Sequence, residues 1–403
     1  MRDGGSLKAV TDEQPVKLAW SVLGDMPEAL KDGVACWTTP DALYPEGEVV
    51  IAGGLWPVGV AHMPGSYSRL NFSFAFDVAR RAWRPLALPP YSPGRTQGAC
   101  VNNSLVIISG GDGGTVGPRV MQLSKVSTEW KWDATSIPAL PADASRITAA
   151  AHAIDGRWLV IGLGSRHLST SSPPALPYRL DLSAPAASRR WMPMPSYPLS
   201  TALGEITVPI SAATGGKWLV FGGGYGHPAG SAAAAAWSEL PADLATMAVF
   251  GPRPTGGTMD LREAFAFDFD SDSWEVLPRM PLNMVQGPKL APVVGPGGRY
   301  VLLLGAQRRL TARRGTEPPG YMAAVGRPPI EDQIQYYGDD AIYYDTVRRV
   351  YGQLGKLPYG LVTTSWVSNG THALGFGGEP CHGWNGNTES VIQMARIEIS
   401  SPE

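Results

Sequence analysis

Residues 207–281 decide the fold. The stretch opens TVPISAATGGKWLVFGGG (207–224) and, after a long loop, resumes REAFAFDFDSDSWEVLPRMP (262–281). Four strand-like pieces lie in it. Residues 207–213 form the first, and 217–222 the second, closed by a glycine run. Residues 264–269 alternate apolar with polar or small side chains and break at 270–273. Residues 274–277 form the fourth, stopped by Pro278. Period-2 runs bounded by Gly, Asp, Ser and Pro predict antiparallel strands.

The unit recurs along the chain. A buried strand ending in a glycine pair appears as VVIAGG (49–54), LVIISGG (105–111), WLVIGLG (158–164) and WLVFGGG (218–224). It returns as YVLLLGA (300–306) and HALGFGG (372–378). The first glycines of the six copies are Gly53, Gly110, Gly162, Gly222, Gly305 and Gly377, and the wider late intervals predict insertions in the fourth and fifth units. Each copy except the last is followed by an alternating strand and an aromatic-led strand ending near proline. Examples are FSFAFD (72–77) with WRPLALPP (83–90), and YRLDL (178–182) with WMPMP (191–195). Tyr351 takes the aromatic position in the fifth unit. The sixth ends at SVIQMARIEI (390–399) without a fourth strand. That strand is found at the other terminus, where KLAWSVLGDMP (17–27) has the same pattern around Trp20.

One four-stranded sheet cannot bury both faces, so neighbouring sheets must pack on each other. Joining the termini in one sheet closes such a ring and protects its edges. The expectation is a single all-β domain over residues 1–403, a six-bladed β-propeller in which residues 16–27 complete the C-terminal blade.

Composition narrows the function classes. Of 403 residues, 44% are hydrophobic, which fits a globular core; 48 Gly and 37 Pro, spread along the chain, punctuate short strands. Charged residues make up 17% and the net charge is -2, with no basic stripe, which argues against a nucleic-acid partner. No apolar run has membrane-spanning length. Cys36, Cys100 and Cys381 are an odd, widely spaced set. With no apolar segment near the N-terminus, they predict reduced thiols and a cytoplasmic chain. The sequons at Asn71, Asn102 and Asn369 matter only in a secreted chain. The six histidines show no metal-ligand spacing, and no phosphate-binding loop or nucleophile elbow is present, so neither a metal nor a cofactor is expected.

A glycine pair, an alternating strand ending in Asp, then Trp with a following proline resembles the kelch repeat, over nearly the whole chain. The stretch LPYGLVTTSWVSNGTHALGFGGEPCHGWNGNTESVIQM (357–394) further resembles the closing repeat of the N-acetylneuraminate epimerase (sialic acid mutarotase) family. VVIAGGLWP (49–57) and LVIISGGDGG (105–114) also look like that group's repeats. The resemblance implies a propeller interconverting sugar anomers, with a Gly-Glu after a buried strand and an arginine in R-T-D/A-x-V. Here the pattern is divided. The fourth unit has Arg262 in L-R-E-A-F but Gly223 or Gly224, depending on register, in the glutamate's place. The sixth keeps Gly378-Glu379 but has Asn387 where the arginine belongs.

A propeller gathers strand ends around a central channel. Residues after the glycine pairs are therefore candidates for its mouth: Leu55, Asp112, Ser165, Gln307 and Glu379. Nearby loops add Arg119, Arg166, His167, His227, Arg262, Glu263, Arg308 and His382. Anomerisation needs one group to take the hydroxyl proton and one to return it to the ring oxygen. Glu379 and His382 suit that role, and Arg262 would hold a substrate carboxylate. The structural alternatives are a turn-capping Glu379, an exposed His382 and an Arg262 paired with Glu263 or an aspartate. Asp112, Arg119, Arg166, His167, His227, Gln307 and Arg308 are expected to contact ligand. Trp56, Trp237 and above all Trp384 could stack on sugar rings or anchor a protein. Two readings follow. The first is a recognition module that binds a protein or carbohydrate partner through one rim, using the long loops of the fourth and fifth units. The second is a mutarotase with Glu379, Arg262 and His382 at the channel mouth. Convergence of those three in one polar pocket favours the enzyme, and a blocked channel counts against it. The sequence carries no signal for oligomeric state.

Overall fold

The computed structural model describes residues 14–57, 67–69, 71–91, 96–109, 119–141, 150–163, 176–198, 205–207, 209–227, 257–260, 262–282, 284, 287, 289–311, 333–380 and 389–400. Six antiparallel sheets stand in a ring, a six-bladed β-propeller. The innermost strands are Val34–Trp37, Thr96–Val101, Ala150–Ile154, Ile210–Thr214, Val293–Val294 and Ser365–Ser368, for blades 1 to 6. The second strands are Glu48–Ala52, Ser104–Ser109, Trp158–Gly162, Lys217–Phe221, Tyr300–Thr311 and His372–Pro380. Val16–Asp25 pairs antiparallel with Glu389–Ile399, Trp20 opposite Ala395, so the N-terminal strand completes blade 6.

Strand alternation explains the core. Trp218, Leu219, Val220 and Phe221 are all buried, although a strand shows only alternate residues to each face. Both faces meet another blade. Trp218 and Val220 pack with Val160, Leu163 and Met194 of blade 3. Leu219 and Phe221 pack with Val301, Leu303 and Tyr344 of blade 5. Six apolar clusters divide the core in this way, one between each pair of neighbouring blades. Each fully buried large side chain contributes about 1.5–3 kcal/mol.

The outer-strand aromatics have a second task. Trp132 Nε1 donates to the Ala87 carbonyl at 2.8 Å, Trp191 Nε1 to Pro138 at 3.0 Å and Trp274 Nε1 to Pro195 at 2.9 Å. Tyr351 Oη donates to Pro278 at 2.8 Å. Each donor reaches the backbone just after the outer strand of the preceding blade. The aromatic therefore packs with its body and anchors the neighbouring blade with its polar edge.

Two expectations are corrected. Residues 207–213 are not one strand: Glu205–Thr207 and Ile210–Thr214 belong to different sheets. Pro209, which lacks an N–H for the ladder, stands between them. In the third unit the left-handed position is Leu163 (φ 56°). Gly162 is small for another reason, since a Cβ there would lie 2.5 Å from Pro177 Cβ. Cys36 and Cys100 are not free thiols but are bonded to each other across blades 1 and 2, with Cα atoms 5.0 Å apart. They lie 64 residues apart in sequence, on adjacent innermost strands, and the ring brings them together. Cys381 lies outside the described residues.

Candidate functional site: the ribbon-bearing rim

The glycine pairs mark one rim. Gly53, Gly222, Gly305 and Gly377 take φ of 70°, 59°, 63° and 58°, a left-handed bend that costs an L side chain energy. Beyond the bend, several chains leave the blade as β-ribbons. Leu55–Pro57 pairs with Tyr67–Arg69 above blade 1. Gly224–His227 pairs with both Glu205–Thr207 and Gly257–Asp260 above blade 4. In blade 5, Tyr300–Thr311 and Gln333–Asp345 stay paired past Gly305. In blade 6, His372–Pro380 gains Leu361–Val362 as a partner.

The approach to blade 1 closes the centre of this rim. Gly378 N donates to Leu30 O at 2.8 Å, Leu55 N to Lys31 O at 2.9 Å and Asp32 N to Thr363 O at 3.2 Å. Thr96 Oγ1 donates to Asp32 O at 2.5 Å. Residues 30–32 are thereby bonded to blades 6, 1 and 2. Asp32 adopts φ 60°, where Asp is one of the few tolerated side chains.

Two ion pairs lie on this frame. Lys31 Nζ is 3.0 Å from Glu379 Oε2, with side chains 6% and 12% exposed. Lys289 Nζ is 2.8 Å from Asp32 Oδ1 and donates to Thr96 O, also at 2.8 Å. Lys289 precedes blade 5 and Thr96 begins blade 2, so its side chain spans the ring between opposed blades. Its own backbone is held by Ser211 Oγ, which donates to Lys289 O at 2.9 Å. Beside this bridge, Gln97, Thr364 and Ser365 line a small cavity with Gly33, Ala151 and Trp366.

The structure places the sequence candidates as follows. Glu379 stands at the mouth, held by Lys31. Arg262 is half-buried before the third strand of blade 4, and its Nε donates to Met280 O at 2.6 Å. Burial, with the nearby Arg279 charge, holds its pKa below the usual arginine value. Glu263, the partner considered for Arg262, takes the Arg279 guanidinium at 2.9 Å and accepts only the Arg262 backbone N–H, at 3.2 Å. No described contact joins Arg262 to Glu379. Arg119 lies over the Tyr91 ring, 3.9 Å from its centroid. His227, Gln307 and Arg308 sit on the ribbons, opposite Gly257, Tyr337 and Tyr336. Trp56 is on the blade 1 ribbon. Asp112, Ser165, Arg166, His167, Trp237, His382 and Trp384 lie outside the described residues.

Lys31, Asp32, Gln97, Lys289 and Thr364 were missed. They precede or open innermost strands, whereas most of the sequence candidates lie past the glycines that end second strands. The signal was KDG (31–33), two opposite charges before a strand that turned out to be fully buried.

Among the described residues, no group of three or more His, Cys, Asp or Glu is placed to hold a metal ion, and no helix is long and apolar enough to cross a membrane. Comparison with protein-family models gives no match, and comparison with curated protein sequences gives none.

Proposed function

We propose that the protein is a recognition module that takes a polar ligand, glycan or polypeptide, on the ribbon-bearing rim. One observation carries this reading. The ribbons of blades 1, 4, 5 and 6 rise from the same rim, around a centre already bridged by Lys289. A rigid ring with paired strands projecting from one side offers a broad preorganised surface. Binding is favoured over anomer chemistry because the groups suited to chemistry have structural partners. Glu379 neutralises a buried lysine, and Arg262 is bonded to a carbonyl of its own blade.

The test is a glycan and peptide array, followed by hydrogen exchange on the bound complex. The reading expects protection at 224–227, 257–260, 305–311 and 333–340, and loss of binding when ribbon residues such as Arg308 are replaced by alanine. Protection confined to the turns of the opposite rim overturns it. So does accelerated anomer exchange of N-acetylneuraminate, followed by NMR, that vanishes in Glu379→Gln.

A further inference from the structure

Three asparagines stand in the pattern Asn-x-Ser/Thr: Asn71 before Phe72 and Ser73, Asn102 before Asn103 and Ser104, and Asn369 before Gly370 and Thr371. The pattern has chemical meaning only in a secreted chain, and the expected reduced thiols argued against one. The Cys36–Cys100 bond removes that argument, because disulfides persist in oxidising compartments and are rare in reducing ones. The fold leaves all three asparagines exposed. Asn102 and Asn369 lie in the hairpins between innermost and second strands of blades 2 and 6, on the ribbon-free rim. Asn102 and Asn103 take φ of 45° and 65°, the left-handed pair of a two-residue hairpin turn. In the other hairpin Asn369 Oδ1 accepts from Thr371 N at 3.0 Å, Thr371 Oγ1 at 3.0 Å and His372 N at 2.8 Å. That turn uses the side-chain oxygen of Asn369, and none of these bonds uses its Nδ2. Asn71 lies on the ribbon side of blade 1, next to Phe72, whose carbonyl accepts from Gly53 N at 3.3 Å.

We propose that Asn71, Asn102 and Asn369 carry N-linked oligosaccharides, and that these cover one arc of the ring. The three positions are scattered along the chain, yet ring closure sets them on blades 1, 2 and 6, which are consecutive around the ring. The pattern does not occur in the sequence of blades 3, 4 or 5. Each attachment forms a bond from the anomeric carbon of an oligosaccharide to Asn Nδ2. It breaks that carbon's bond to a lipid-linked diphosphate donor, and a proton from Nδ2 leaves with the diphosphate. An exposed position accepts such a group without displacing a packed side chain. Turn chemistry alone favours asparagine at 102 and 369, so occupancy, not residue type, is what a test must read. The ribbons of blades 4 and 5 stay bare in this arrangement. The ligand footprint, a step that rests on the recognition reading above, is thereby confined to blades 4 and 5 and excludes the blade 1 ribbon beside Asn71.

The test uses the protein isolated from its own source. Peptide-N-glycosidase in heavy-oxygen water converts each occupied asparagine to a labelled aspartate, which peptide mass spectrometry reads directly. Label on all three is expected, with Cys36 and Cys100 recovered as one linked peptide pair before reduction. Label on at least two blades supports the arc, label on one alone overturns it, and label on none overturns the proposal. Recovery of Cys36 and Cys100 as free, alkylated thiols overturns the compartment and the proposal with it. Array binding and hydrogen exchange on the deglycosylated chain test the footprint. Unchanged binding, with protection confined to 224–227, 257–260, 305–311 and 333–340, supports it. Protection that extends to 55–57 or 67–69, or binding that falls several-fold on deglycosylation, overturns it. No binding before or after deglycosylation overturns the recognition reading and its footprint, while the labelled sites stand.

Discussion

The two rims of the propeller differ in how their turns and their centre satisfy polar groups. On the rim without ribbons, the turns between third and fourth strands of blades 1, 3, 4 and 5 are each closed by an aspartate. Asp77 Oδ1 accepts from Arg80 N at 2.9 Å, Asp181 from Ser183 N at 2.9 Å, Asp268 from Asp270 N at 2.9 Å and Asp345 from Val347 N at 2.9 Å. All of these bonds span two or three residues. On the ribbon-bearing rim the bonds join blades: Lys31 to Glu379, Lys289 to Asp32 and Thr96, Ser365 to Gly33. The first rim combines local turn chemistry with bonds between neighbouring blades, such as Asn103 to Thr39 and Thr214 to Gly298. The pairs at the centre of the other exist only once the ring has closed.

The contrast is sharpest for covalent and ionic links between blades. Opening the Cys36–Cys100 bond releases a loop with a sequence separation of 64, which the chain-entropy model values at about 4 kcal/mol. Urea unfolding with and without reductant should therefore show a large drop in midpoint, abolished in a Cys36→Ala, Cys100→Ala chain. Superimposed curves would remove this link from the comparison. Next comes Lys31→Met, which leaves Glu379 mostly buried beside no ammonium and should cost about 3 kcal/mol. Adding Glu379→Leu should recover part of that loss in the same denaturation assay. If the double variant is as unstable as the single, the pair is not what holds the approach to blade 1.

Changes on the local rim should be smaller. Asp268→Ala removes the acceptor for two backbone N–H groups and should cost about 1 kcal/mol. Asp268→Asn keeps that acceptor and should cost only a few tenths, since it weakens an ion pair with the half-exposed Lys217. Equal losses in the two variants would mean that charge, not turn closure, is the aspartate's contribution.

Acidification separates interior from turn without any loss at neutral pH. Burial pushes His152 down to about 4, whereas an unfolded chain takes up that proton near the ordinary value of about 6.5. Its contribution is therefore present above that value and is lost as pH falls towards 4. In Asp181, hydrogen bonds led by that from Arg157 hold the pKa at about 2, so its contribution persists to lower pH and fades between about 4 and 2. Denaturation midpoints measured across this range should show the upper slope flattened in His152→Leu and the lower in Asp181→Asn. An unchanged upper slope in His152→Leu would show that His152 is not the interior group that titrates.

Much of the fold was legible because a blade is a local object. Alternation in 264–269, the aspartate before 270–273 and the Trp274–Pro278 spacing are all contained in a few consecutive residues. Even ring closure could be read, since the sixth unit lacked a strand and residues 17–27 supplied its pattern. The cysteines were misread because separation along the chain says nothing about distance across a ring. Of the candidate site, Glu379 was found from the sequence, but its partner Lys31 was not. The two lie almost a full chain length apart, and no local pattern links them.

The sequence by itself determined the blade: its four strands, its glycine bend, its turn aspartate and its outer aromatic. Each depends on backbone preference and side-chain alternation within a few tens of residues. The tertiary structure alone decided what faces the axis. Six chain segments converge there, and which charge meets which depends on distances set only when the last blade closes on the first.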